Sequence, residues 1–159
     1  MRTYLMAFAA AAVVALIVTT AAPAAGTGRV IRFLEVDNQR ADVFIDADHN
    51  NVESPGDIFM GSFVLYAWAN GGGRGDRIGH ARVMCTFRGR SSAYCDGTFF
   101  LPGGTVVAQS YIRFSNAPIT IPITGGTGAY LGARGTFTSR SIRDNSEVSL
   151  SADVIRLLP

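Results

Sequence analysis

The chain contains no lysine, so all 14 of its basic side chains are arginines, set against 12 acidic ones. The arginines are scattered among the acids and form no one-sided basic stripe, which excludes a phosphate-tracking nucleic-acid surface. Lysine is missing, too, from the glycine-rich segment Gly126-Thr127-Gly128-Ala129-Tyr130-Leu131-Gly132. A nucleotide loop needs that lysine and a helix after it, and here a strand pattern follows. The segment reads as turn chemistry. Histidine is scarce. His49 and His80 have no partners at metal-ligand spacing, and no Ser-His-Asp arrangement stands out. No metal site and no cofactor is expected.

The acidic run Asp46 to Asp57 opens like a calcium loop, with Asp46, Asp48 and Asn50 at alternate positions. It has Asn51 where the sharp turn calls for glycine, Asp57 where the closing ligand is glutamate, and no helix on either side. A solvated loop is the expectation. Arg74-Gly75-Asp76 spells an integrin-type tripeptide on an expected exposed turn, and so short a string occurs by chance.

The first residues have a different character. Arg2 is their only charge, Leu5 to Val18 is apolar and alanine-rich, and Ala22-Pro23-Ala24 supplies small residues for cleavage. That order is the order of a secretory signal peptide. The apolar run is short for a membrane span of ~20 residues. The expectation is a leader over 1–24, a mature domain over 25–159, secretion, and no membrane partner once the leader is gone.

Two cysteines in an exported chain point to a disulfide. Cys85 and Cys95 lie at equal distances from Arg90, the centre of an expected hairpin. Facing residues of an antiparallel pair have Cα atoms roughly 4.5 to 5.5 Å apart, within disulfide reach. The alternative is a pair of reduced thiols, with Cys85 lining a cavity.

Short strand-like segments fill the rest, several of them alternating and Ile58 to Trp68 apolar on both faces. They run over Arg29 to Val36, Ile58 to Trp68, Ile78 to Phe87, Ser92 to Leu101, Thr105 to Phe114, Pro118 to Thr124, Leu131 to Ile142 and Glu147 to Leu157. Asp37 to Asp57 reads as irregular. In the last segment Val148, Leu150, Ala152 and Val154 form the apolar face. About eight strands with turns between them indicate an all-β sandwich or barrel. Several inner faces are rich in small residues: Gly79, Ala81, Gly97, Ala133, Gly135 and Ala152. Beside Phe33, Phe63, Phe99 and Phe137 they can leave a lumen open, and an eight-stranded barrel is about wide enough for one small ligand. The alternative is a barrel that its aromatic side chains fill completely.

The densest signature runs from Cys85 to Phe137. It comprises Cys85-Thr86-Phe87, Tyr94-Cys95-Asp96-Gly97-Thr98-Phe99, Gly104-Thr105-Val106-Val107-Ala108-Gln109, Ile123-Thr124-Gly125-Gly126-Thr127-Gly128-Ala129-Tyr130 and Ala133-Arg134-Gly135. This resembles the allene oxide cyclase and dirigent barrel superfamily, in particular its bacterial secreted members. The resemblance implies a calycin-type, eight-stranded antiparallel β-barrel with an apolar lumen, often assembled as a homotrimer. It also implies a small apolar molecule as partner and chemistry without a cofactor. Some members cyclise an unsaturated fatty-acid epoxide; dirigent members steer radical coupling. A cofactor-free isomerase or cyclase is therefore one expectation. A non-catalytic, lipocalin-like carrier and a dirigent-type protein are the alternatives.

Residue by residue, the family's Glu-x-Asn motif falls on Glu35-Val36-Asp37, with aspartate in place of asparagine. An asparagine of the plant cyclases falls at Phe63, and their central-strand cysteine matches Cys85. The catalytic candidates are Glu35, Asp37 and Cys85, and the ligand-binding candidates are Phe33, Phe63, Phe99 and Phe137. Alternation puts Glu35 on one face with Ile31 and Phe33. A carboxyl group there has a raised pKa unless it is paired, and it can stabilise positive charge or act as acid or base. In the opposite register Glu35 faces water.

Overall fold

The computed structural model describes residues 28–37, 41–69, 73–115, 117–144 and 149–159. The leader expected over 1–24 lies outside them, as does Val148. Nine strands make up most of the described chain: β1 (Val30–Asp37), β2 (Val43–Ile45), β3 (Ile58–Trp68), β4 (Arg74–Gly89), β5 (Ser92–Leu101), β6 (Gly104–Arg113), β7 (Ile119–Gly126), β8 (Gly135–Asp144) and β9 (Ser149–Leu157). Their order is β1-β9-β8-β7-β6-β5-β4-β3-β2, and β1 also pairs with β3. Eight strands thus close into an antiparallel barrel, which leaves no long free edge. The ninth is small. β2 takes up the edge of β3 where β1 leaves it, with Asp37 opposite Phe63 and Val43 opposite Met60.

Most strands lie where alternation puts them. Three readings need correction. The stretch expected to be irregular between Asp37 and Asp57 holds β2. Arg74-Gly75-Asp76 is not a turn but the start of β4, and the Arg74 guanidinium lies over the Tyr66 ring, 4.6 Å from its centroid. The inner face of β9 is the opposite of the expected one. Phe33 sits opposite Asp153 and Glu35 opposite Ser151. Facing residues share a side of the sheet, so Ser151, Asp153 and Ile155 point inward while Leu150, Ala152 and Val154 point outward. The outer row is apolar and only partly buried, which is why alternation mistook it for the core.

One end of the barrel is plugged. Phe33, Leu65, Phe99, Leu101, Val106 and Ile155 are buried together there, with Tyr130 and Phe137 in the same cluster. Three phenylalanine rings form its centre: Phe99 lies 4.7 Å from Phe137 and 5.9 Å from Phe33, between centroids. The glycine-rich segment closes this end. Gly128 has φ 58°, in the left-handed region glycine favours, and the Gly103 carbonyl occupies the space a Cβ would need. Next to it Ala129 N–H donates to the Gly103 carbonyl at 2.8 Å, and the Tyr130 hydroxyl donates to the Pro102 carbonyl at 3.2 Å. The motif therefore ties the β7–β8 connection to the β5–β6 turn.

Candidate functional site

Toward the other end the inward residues become small. Ala81, Gly97 and Ala108 stand at mid-barrel, and a cavity of about 160 Å³ opens among them. Phe63, Phe99 and Phe137 form aromatic parts of its wall, and Ile112, Ile119 and Ile121 form aliphatic ones. The isoleucines lie along a seam. Registered β6–β7 pairs extend only from Val106↔Gly126 to Ala108↔Ile123. Below that no β6–β7 pair is registered among the described residues, and Ile112, Ile119 and Ile121 on these stretches line the cavity.

Glu35 is on the cavity wall, beside Ser139. Its neighbours explain its chemistry. Asp153, 0% exposed, lies against it from β9. Burial raises the Glu35 pKa well above the ordinary carboxyl value; the negative charges of Asp153 and Asp37 push the same way, as does a side-chain hydrogen bond with Asp153. Asp153 is pushed up to about 7, again mainly by burial. The Ser139 and Ser151 hydroxyls, the Arg140 amide and Glu35 oppose that shift. Those contacts are loose, for neither Asp153 oxygen has a partner at ordinary hydrogen-bond geometry among the described residues. Two carboxyl groups in an apolar wall cannot both ionise cheaply. Near neutral pH they share protons as a unit.

The sequence candidates separate into groups. Phe63, Phe99 and Phe137 line the cavity; Phe33 does not, and is fully buried one layer below, against Phe99 and Phe137. Asp37 belongs to the open mouth, with Asp42, Glu53, Phe87, Arg90 and Phe114. Cys85 and Cys95 face each other with Cα atoms 4.1 Å apart and are bonded, S–S 2.02 Å. Both sulfur-bearing residues line the cavity. The reduced-thiol alternative falls, and Cys85 offers the lumen shape rather than a thiol. Asp153 is the residue that sequence reasoning missed. A lone carboxylate among the closing strand's serines, in a barrel whose first strand already turns a carboxylate inward, was the available signal.

A second acidic cluster lies outside the lumen. Asp46, Asp48 and Asp57 bring one carboxylate oxygen each within 4.8 Å of one another. The loop's own donors occupy them. Asp57 accepts from the Ala47 and Ser54 amides at 2.8 Å, and Asp46 from the Asn51 amide at 2.7 Å. That last bond is the main reason the Asp46 carboxyl titrates below its usual range. Oxygen donors of this kind suit hard cations, and the bonds seen here shape the loop itself.

Residues 61–155 match the family described as allene oxide cyclase barrel-like domains. No curated protein sequence matches the chain. Among solved structures, a pterocarpan synthase dirigent protein is similar over 83% of this chain and 95% of its own, at 17% identity and a TM-score of 0.69. Pyocyanin demethylase is similar over 80% of this chain and 99% of its own, at 24% identity and a TM-score of 0.58. A Diels–Alderase from Streptomyces koyangensis is similar over 84% of this chain and 69% of its own, at 16% identity and a TM-score of 0.62. At these identities the likeness concerns the barrel.

Proposed function

The chain belongs to the family of allene oxide cyclase barrel-like domains, and from that premise we propose that its lumen holds one small, largely apolar molecule and isomerises it without a cofactor. The observation that carries this reading is Glu35 on the wall of an apolar cavity with the buried Asp153 behind it. The walls fold a flexible substrate into one reactive shape. The carboxyl pair delivers a proton to the substrate, and the carboxylate left behind faces the positive charge that develops. A proton then returns from a neighbouring substrate carbon to the pair. One proton goes in and one comes out, so the product is an isomer and no oxidant is consumed. Export to an oxidising compartment is part of the proposal, supported by the leader-like first residues and by the Cys85–Cys95 bond.

The test begins with native mass spectrometry of the mature protein taken from culture medium, which reports any molecule held by the barrel. That molecule is then incubated with wild type, Glu35→Gln and Gly97→Val. The Gly97 position has room for a Cβ, with no atom nearer than 3.8 Å, so valine projects into the cavity with little strain. An isomer of unchanged mass from wild type, at least about a hundredfold slower formation by Glu35→Gln, and no binding by Gly97→Val support the reading. Retention of the molecule unchanged by wild type supports a carrier instead.

A further inference from the structure

Among the described residues, the ionisable side chains that face the lumen have one sign. Glu35 and Asp153 come from β1 and β9, and Asp37 stands next along β1 at the mouth. The inward positions of the other strands are uncharged: Phe63 and Leu65 on β3, Ala81 and Val83 on β4, Gly97 and Phe99 on β5, Ala108 and Ile112 on β6, Ile119 and Ile121 on β7, Phe137 and Ser139 on β8. Arg82 borders the cavity, but it is exposed and alternates with the inward Ala81 and Val83, so its guanidinium turns outward. At the mouth Asp42 and Glu53 join Asp37, and Arg90 is the one basic side chain among the described residues there. Aromatic rings accompany the acids at both levels.

We infer that the lumen ligand is an apolar base, a molecule with about one aromatic ring's bulk and a single protonatable nitrogen, and that carboxylate-bearing ligands are rejected. This inference rests on the lumen-binding reading above and names its ligand class. Size comes from the cavity: about 160 Å³ compares with the ~150 Å³ cavity that accepts benzene in an engineered protein. Charge preference comes from the walls. An ammonium group is recognised by a desolvated carboxylate and by aromatic faces together, and both surround this cavity. A carboxylate ligand would add a negative charge beside two acids, with no inward-facing cation among the described residues. Acids at the mouth also raise the local concentration of cations on entry.

Proton linkage follows. Asp153 titrates at about 7 in the free protein, and Glu35 well above the ordinary range. A cation favours the ionised form of the pair. Below neutral pH it must therefore expel a proton to bind, and its affinity falls as the pH falls.

Calorimetric titrations with benzylamine, benzyl alcohol and benzoate, three ligands of one shape, test this at about pH 6 and about pH 8 in buffers of different ionisation enthalpy. Benzylamine should bind at least about tenfold tighter than benzyl alcohol at the higher pH, with a smaller margin and proton release at the lower. Benzoate should not bind. Glu35→Gln should remove the margin, with benzyl alcohol on the same variant reporting whether the lumen is formed. Equal affinities for amine and alcohol, or tighter binding of benzoate, would overturn the charge preference and leave the lumen reading standing. If none of the three binds, or if Gly97→Val leaves their binding unaltered, the lumen reading fails and this inference fails with it.

Discussion

The plugged end of the barrel and the lumen at its middle are built from the same strands and differ mainly in side-chain volume. At the plugged end, large inward residues meet: Phe33, Leu65 and Ile155 are each 0% exposed. At mid-barrel the inward positions hold Ala81, Gly97 and Ala108, and a cavity results. Polar groups follow the same division. The plug is apolar apart from the Tyr130 hydroxyl, which is satisfied by the Pro102 carbonyl. The carboxyl pair sits at the level where the packing stops. A barrel of this size is thus a core and a site stacked along one axis, and residue size decides which is which.

The largest effect is expected at the plug. Phe33→Ala removes a ring that touches both Phe99 and Phe137. It should cost about 3 to 5 kcal/mol, read as a lower urea midpoint with an unchanged slope. Lumen ligands should still bind to the folded fraction. A loss under about 1 kcal/mol would mean that the plug is loosely packed and does not differ from the lumen in packing.

The open end has its own brace. The Cys85–Cys95 bond closes a short loop, with a sequence separation of 10. Chain-entropy reasoning assigns such a cross-link about 3 kcal/mol. Replacing both cysteines by alanine should lower stability by that order, and hydrogen exchange should rise along β4, β5 and the end of β6 beyond its registered β7 pairs while the plug stays protected. Uniform loss of protection would show that the two ends unfold as one unit.

Much of this division was legible in the sequence, and the failures are instructive. The bounds of β3 and β5 and the pairing of the cysteines followed from alternation and turn residues. The small inward residues that make the lumen were visible too. β2 escaped because three residues give no period to read. β9 was turned inside out because Leu150, Ala152 and Val154 are more apolar than Ser149, Ser151 and Asp153, and the usual rule sends apolar residues inward. The rule failed because β9 turns the buried Asp153 and its serines toward the lumen at this level. Asp153 was lost with that register. Its role depends on Glu35, more than a hundred residues away in sequence and beside it only after the barrel closes.

The smallest expected effect concerns that pair. Asp153 has a folded-state pKa of about 7, above its ordinary value of 3.8. A raised acid holds its proton in the folded protein where the unfolded chain has already lost it. Its stabilisation is therefore complete below the unfolded value and is lost as pH rises toward the folded one. Wild-type stability should decline between about pH 4 and about pH 7, by no more than about 1.4 kcal/mol per pH unit from this group, and level off above. Asp153→Asn keeps the shape and removes the titration. It should flatten that decline and leave the barrel at least as stable as wild type above neutral pH. The same substitution removes one source of the upward shift on Glu35, so the pH at which Glu35 itself ionises should move down. Denaturation measured across this range checks the first effect. Carboxyl NMR of Glu35 checks the second, and an unmoved Glu35 titration would show that burial and the Asp37 charge, without Asp153, set the acid at the wall of the lumen.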